Sequence, residues 1–177
     1  MLFNFLNFYG SYDYLNDTRY QHLKEIRVFR NRKQIYSCRD SQGVRRFPSW
    51  EALLGGDLGV KLKVKQIPVP VFHYNYVRTP AQMRMKAKHF ESFWHDDTYL
   101  EEKYSALEIS DMYDLEKVKP FKGTHPALMK EIIARAELPF DPQKHVRPMT
   151  LKEKVVYGLD AFFNHRFGES RNYILIK

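Results

Sequence analysis

Cysteine is almost absent from this sequence, since Cys38 is the only one among 177 residues. One thiol cannot close an internal disulfide, and it has no second cysteine with which to share a metal ion. The fold therefore needs no oxidising compartment, and we expect Cys38 to be a buried, unreactive thiol.

Long apolar runs are also missing from the sequence. No stretch approaches the roughly 20 apolar residues that a helix needs to cross a bilayer. The first residues, MLFNFLNFYGSYDY, lack the basic segment, long apolar run and cleavage site of a signal peptide. We therefore expect no transmembrane segment and a cytoplasmic location.

Several short catalytic motifs do not occur in the chain. The sequence contains no Gly-x-Ser-x-Gly, no Walker-type Gly-Lys-Ser/Thr, no Gly-x-Gly-x-x-Gly and no zinc-type cysteine pairs. This argues against the common serine hydrolase, phosphate-loop, dinucleotide-binding and zinc-finger classes.

A surplus of positive charge is present instead, with a formal net charge of +8. Such a surplus favours anionic partners, namely nucleic acid, phospholipid headgroups or phosphate-bearing small molecules, although a solvated basic surface explains it equally well. Two basic runs, RNRKQ at 30–34 and VRRF at 44–47, have Tyr20, Phe29 and Tyr36 nearby. The positive charge of the chain forms no continuous stripe, because the acidic segment 96–116 breaks it, so the sequence does not favour nucleic acid as the partner.

Strand-like segments precede helix-like ones. Apolar alternation predicts strands at 23–30, 34–39 and 60–77, with a helical turn at 50–54. Pro68 and Pro70 place part of the third strand at a sheet edge. One domain over 1–177 follows from the length, with 1–78 mainly strands and loops and 79–177 mainly helices. This order indicates an α+β fold or the end of an α/β domain.

Three helices are predicted in the second half. The first begins with Thr79 as cap and Pro80, the second near Thr124, and the third with a capping box from Thr150 to Glu153. The first should pack on the sheet through Met83, Ala87, Phe90 and Trp94. The second should face inward through Leu128, Ile132 and Ile133.

The segment VFHYNYVRTP gathers polar chemistry where a strand ends and a capped helix begins. Ligands of open α/β sheets bind at such strand ends. Arg78 could hold a phosphate in a bidentate pair, and a neutral His73 could ligate a divalent metal that carries the same phosphate, with Tyr74 beside them. Alternatively, His73 is a hydrogen-bonded core histidine and Arg78 a surface residue.

The segment SCRDSQGVR places Asp40 and Gln42 directly after a strand, with Arg39 beside them. Asp40 could act as a general base for a hydroxyl group. A plain turn explains the same residues, because Asp side chains commonly accept from the N–H groups of their own turn. His125, in FKGTHP, starts a helix and is expected on the surface.

Several segments together resemble a known family. FNFLNFYGSYDYL, KEIRVFRN, CRDSQGVR, VFHYNYVRTPAQMRMKAKHFESFWHDD, FKGTHPALMKEII and FGESRNYILIK are similar to the C-terminal portion of bacterial family 2 type glycosyltransferases. The similarity covers nearly the whole chain in the same order, and 73–97 is its most specific part. The family usually has a glycine where this chain has Asn75.

The resemblance implies part of an A-type glycosyltransferase fold of the α/β class, with mixed-sheet strands followed by three or more helices. By analogy, His73 completes a divalent metal site for Mn or Mg, while Arg78 and Tyr74 contact the nucleotide-sugar donor. Arg39 and Gln42 contact the sugar or lipid-linked acceptor, and Asp40 deprotonates the acceptor hydroxyl. The activity implied is sugar transfer in the synthesis of cell-surface polysaccharide or glycoconjugate.

The nucleotide-binding half of the family, with its Asp-x-Asp-like metal motif, has no counterpart in this sequence. We therefore expect the chain alone to be inactive and to require a separately encoded N-terminal half. A peripheral position at the inner membrane face fits such a transferase. The alternative function is a basic, non-catalytic module that binds nucleic acid or another anionic polymer.

Overall fold

The computed structural model describes residues 1–38, 43–106, 115–138, 141, 145–169 and 171–176. Within these residues the chain is a mixed α/β protein with two sheets, which confirms the α/β class. The strands are β1 Leu2–Tyr9, β2 Tyr14–Asn16, β3 Lys24–Ile26, β4 Ile35–Cys38, β5 Gly43–Arg46, β6 Val60–Val64, β7 Gln66–Tyr76, β8 Val118–Pro120 and β9 Tyr173–Leu175. The helices are α1 Trp50–Leu54, α2 Pro80–Glu91, α3 Asp97–Ala106, α4 Lys130–Ala134 and α5 Leu151–Phe162, with a 3-10 turn at Ala127–Met129.

The chain divides into two compact units. Unit 1 comprises Met1–Leu6, His22–Val71 and Val156–Lys177, and unit 2 comprises Asn7–Gln21 and Phe72–Val155. The single domain expected over 1–177 remains a prediction.

Unit 1 contains the second sheet, in the order β4-β5-β6-β9. The β4–β5 and β5–β6 pairs are antiparallel, and β9 is parallel to β6. Phe47, which follows β5, is almost fully buried. Its ring lies against Gly59, where φ is +62° and an added Cβ would lie 2.7 Å from the ring. Glycine is therefore required at that position for both backbone and packing reasons.

Unit 2 is built around Phe8, a fully buried residue near the end of β1. Phe8 pairs with Leu15 of β2, and β2 pairs in turn with β8. The Phe8 ring stacks on Tyr74 at a centroid distance of 4.7 Å and meets Phe121 edge-on at 5.0 Å. These aromatic contacts, together with buried residues of α3, form the interior of unit 2.

Among the described strands, β7 pairs with β1 alone. This agrees with the edge position predicted from Pro68 and Pro70, which cannot donate ladder hydrogen bonds. The strand predicted at 23–30 is observed only as the three-residue β3, because only Lys24–Ile26 pairs with β1. The helical turn predicted at 50–54 is confirmed as α1, with Ser49 accepting from the N–H of Ala52 at its start.

Of the two predicted packing faces, the first is confirmed only in part and the second is wrong. In α2 only Met83 is buried, whereas Phe90 and Trp94 are more than half exposed and contact each other at 4.9 Å. The second predicted helix consists of a 3-10 turn and the five-residue α4, and Leu128 is 86% exposed. An element this short cannot present a continuous apolar stripe, so the spacing of its aliphatic residues carried no information about burial.

Candidate functional site

The end of β7 and the start of α2 form a strand-to-helix junction. Thr79 Oγ1 accepts from the N–H of Gln82, and Gln82 Oε1 accepts from the N–H of Thr79. Pro80 occupies the first helical position. The predicted helix start is confirmed, and the local reason is the reciprocal capping box, which satisfies two backbone donors at once.

His73 of β7 is partly buried and is held by a neighbouring strand. Its Nδ1 lies 2.9 Å from Oδ1 of Asn7, and Asn7 on β1 is only 6% exposed. The orientation of the imidazole is thereby fixed by a residue 66 positions earlier in the chain. No sequence pattern signals this pair, because nothing in the spacing of β1 identifies Asn7 as its partner.

Tyr74 lies on the opposite face of β7 from His73, since successive side chains of a strand alternate. Its hydroxyl is 2.9 Å from Nδ1 of His125, and its ring belongs to the aromatic group around Phe8. Burial, and secondarily Tyr12, raise the pKa of Tyr74, so the phenol keeps its proton and can donate to His125. His125 is partly buried, and its expected surface position is wrong.

Two cations meet beside the junction. The Nε of Arg78 donates to the carbonyl of Asn75 at 3.0 Å. Lys86, two turns into α2, places its Nζ 3.9 Å from the centre of the Tyr76 ring. That Nζ is buried and has no hydrogen-bond partner within the described part of the chain.

The environment of Lys86 disfavours its charge. Burial, and secondarily the nearby guanidinium of Arg78, lower the pKa of Lys86. An anion at this position would offset both effects, since it would accept a hydrogen bond from Nζ and screen the repulsion from Arg78. Sequence analysis missed Lys86, because a lysine in the middle of an amphipathic helix looks like any solvated surface lysine.

A divalent metal site is not formed by the described residues alone. Within them, no three His, Cys, Asp or Glu side chains come together around His73 or elsewhere. His73 would be one ligand, and Mn or Mg binding would need further oxygen ligands. We therefore derive no chemical step through a metal.

The three residues predicted on the acceptor side, Arg39, Asp40 and Gln42, lie outside the described residues. Of the remaining predicted site residues, His73 and Arg78 lie near the junction, whereas Tyr74 faces the aromatic interior of unit 2. Cys38 is buried, as expected.

Comparisons with protein-family models, curated protein sequences and solved structures found no match for this chain. Among the described residues, no helix combines the length and the apolar character needed to cross a membrane.

Proposed function

We propose that this chain is the acceptor-side part of a nucleotide-sugar-dependent glycosyltransferase with an A-type fold. The proposal rests on the sequence resemblance and on one structural observation. That observation is the pair of cations beside the capped start of α2, namely Arg78 and Lys86, whose buried Nζ has no hydrogen-bond partner among the described residues. The ligand that suits this arrangement is a diphosphate.

The leaving group in such a transfer is a nucleoside diphosphate, which gains negative charge as the glycosidic bond to the donor breaks. Arg78 would bind its oxygens through the planar guanidinium, and Lys86 would donate from its amine. Both contacts strengthen as charge develops, so they stabilise the transition state more than the ground state. The metal-binding role of His73, whose imidazole is held by Asn7, comes from the resemblance alone.

The acceptor side of the proposal comes from the resemblance alone. Asp40 would remove the proton of the acceptor hydroxyl, and Arg39 and Gln42 would contact the acceptor. These 177 residues have no Asp-x-Asp motif, so the nucleotide-binding half would come from outside them. The acceptor would be a growing polysaccharide or glycoconjugate.

Binding of a nucleoside diphosphate tests the donor-side assignment. Isothermal titration of the purified chain with each common nucleoside diphosphate, with and without Mn²⁺, should give a saturable signal for at least one. The substitutions Lys86→Met and His73→Ala should each reduce its affinity about tenfold or more, because each removes a direct contact to the ligand or its metal. His89→Ala, which changes an exposed histidine of α2, serves as the matched control.

Three results would contradict this assignment. The first is the absence of binding by any nucleoside diphosphate. The second is equal weakening by His89→Ala and His73→Ala, and the third is undiminished binding by Lys86→Met.

Catalysis requires a separate measurement. The chain alone should transfer no sugar from any nucleotide-sugar donor, whereas addition of a family 2 type nucleotide-binding half should restore transfer. Turnover by the chain alone would overturn the proposed division of the active site.

A further inference from the structure

The net charge of the protein is distributed very unevenly. By sequence, unit 1 has 14 Lys and Arg against 6 Asp and Glu, a net +8, whereas unit 2 has 15 against 15, a net zero. The entire formal excess of +8 therefore belongs to unit 1. A charge surplus confined to one unit creates a positive potential there, which attracts polyanions to that unit.

Unit 1 also contains a groove of about 800 Å³. None of the described residues lining it is acidic. Six of them are cationic: Arg30, Arg32, Arg46, Lys61, Lys63 and Lys65. All six are exposed, and none makes an ion pair within the described part of the chain. The groove therefore presents positive charge without internal compensation.

The sheet brings together two basic runs that are separate in the sequence. In the antiparallel register, Ile35 of β4 lies opposite Arg46 of β5, and Arg46 lies opposite Val60 of β6. Arg30 and Arg32, just before β4, line the same groove. What looked like interrupted positive charge along the chain is one continuous basic surface in the folded unit.

The groove also has apolar walls. Aliphatic side chains line it together with Phe29, which is 45% exposed. A small inorganic anion would leave this apolar surface unused, and one phosphate would engage only a fraction of six cations. The five residues of β6 alone extend about 17 Å, which suits a linear ligand.

We propose that this groove of unit 1 binds single-stranded nucleic acid. The arginines and lysines contact successive phosphates, and unstacked bases lie on the apolar wall, with Phe29 as the stacking platform. Three of the six cations are arginines, whose planar guanidinium matches phosphate geometry. A groove of this volume accommodates a few nucleotides of one strand and is too small to enclose a duplex.

Fluorescence anisotropy with a labelled oligothymidylate tests this site on the full chain. The triple substitution Arg30→Gln, Arg32→Gln and Arg46→Gln should weaken binding about tenfold or more at low salt. It should also reduce the slope of log affinity against log salt by about 2, since each phosphate contact in a single strand contributes about 0.7. Far-ultraviolet circular dichroism checks that the variant is folded.

The matched control is a second triple variant, which changes the net charge by the same amount but has its substitutions in unit 2. The triple substitution Lys130→Gln, Lys152→Gln and Lys154→Gln alters exposed lysines and should change affinity less than about twofold. Equal weakening by the two triple variants would overturn the proposal, because it would mean that binding depends only on overall charge. The absence of oligothymidylate binding would overturn it as well.

The contribution of the bases is measured separately. Phe29→Ala should weaken oligothymidylate binding about fivefold or more and leave binding of inorganic polyphosphate unchanged, because only the oligonucleotide has bases to stack. Polyphosphate or heparin that competes as well as unlabelled oligothymidylate at equal charge would show a general polyanion site and would contradict the assignment to nucleic acid.

Discussion

At the scale of single residues, the structure separates ion pairs that stabilise the fold from those that do not. Arg147 contacts Glu116 at 3.5 Å, and the Glu116 side chain is only 4% exposed. Arg135 contacts Glu131 at 3.6 Å, but both side chains are more than 80% exposed. Removing one partner of a buried pair leaves an uncompensated charge, whereas an exposed pair is solvated in either case.

Arg147→Gln should therefore lower the free energy of unfolding by about 3 kcal/mol, because it removes the contact to the buried Glu116 and also the two hydrogen bonds to Glu153. Arg135→Gln, the matched control, should lower it by less than about 0.5 kcal/mol. Urea denaturation of the two variants and of the parent protein provides the comparison. Similar effects of the two substitutions would show that the contacts of Arg147 to Glu116 and Glu153 stabilise the fold no more than an exposed pair does.

The residue scale also marks the limit of sequence-based prediction. The positions of His73 near the end of a strand and of Arg78 just before a capped helix could be predicted, because the signals for the strand and the cap are local. Asn7 and Lys86 could not be found in this way. Their importance depends on which residues the fold brings next to them, and sequence spacing carries no such information.

At the scale of elements, helix starts were predicted better than helix faces. Thr79 caps α2 and Thr150 forms a capping box with Glu153, both as predicted, since a cap depends on only four consecutive residues. Burial of Phe90 and Leu128 depends on what packs against them, and the structure leaves both exposed. The helix α3 was missed, because its acidic sequence has no clear apolar period.

The start of α5 should confer a pH-dependent stability. Glu153 accepts from Arg147 and from both the N–H and the hydroxyl of Thr150, and these contacts lower the pKa of Glu153 from 4.5 to about 2, with Arg147 the largest cause. A carboxyl whose pKa is depressed by folding stabilises the fold above its unfolded pKa. This contribution is complete above about pH 4.5 and is lost as the pH falls toward 2.

Glu153→Gln should accordingly be less stable than the parent protein at pH 7. The difference between the two urea midpoints should shrink as the pH falls from 4.5 toward 2, where the parent also loses the negative charge. Urea titrations of both proteins at several pH values across this range measure the difference. A difference that stays constant with pH would show that the charge of Glu153 does not contribute.

At the scale of the whole molecule, two ligand sites are proposed in two different units. Unit 1 has the entire excess positive charge and the basic groove, and unit 2 has the junction with His73, Arg78 and Lys86. The net charge read from the sequence indicated an anionic partner but not its position. The position follows from the strand register, which sets Arg46 of β5 opposite Ile35, the residue that directly follows the basic run at 30–34.

The most direct test of the central claim, diphosphate recognition at the β7–α2 junction, is nuclear magnetic resonance of the isotope-labelled chain. We expect a nucleoside diphosphate with Mg²⁺ to shift the backbone amide resonances of residues 73–86 saturably, with far smaller changes at residues 30–34 and 60–65. Shifts confined to the groove of unit 1, or no saturable shifts at residues 73–86, would contradict the account.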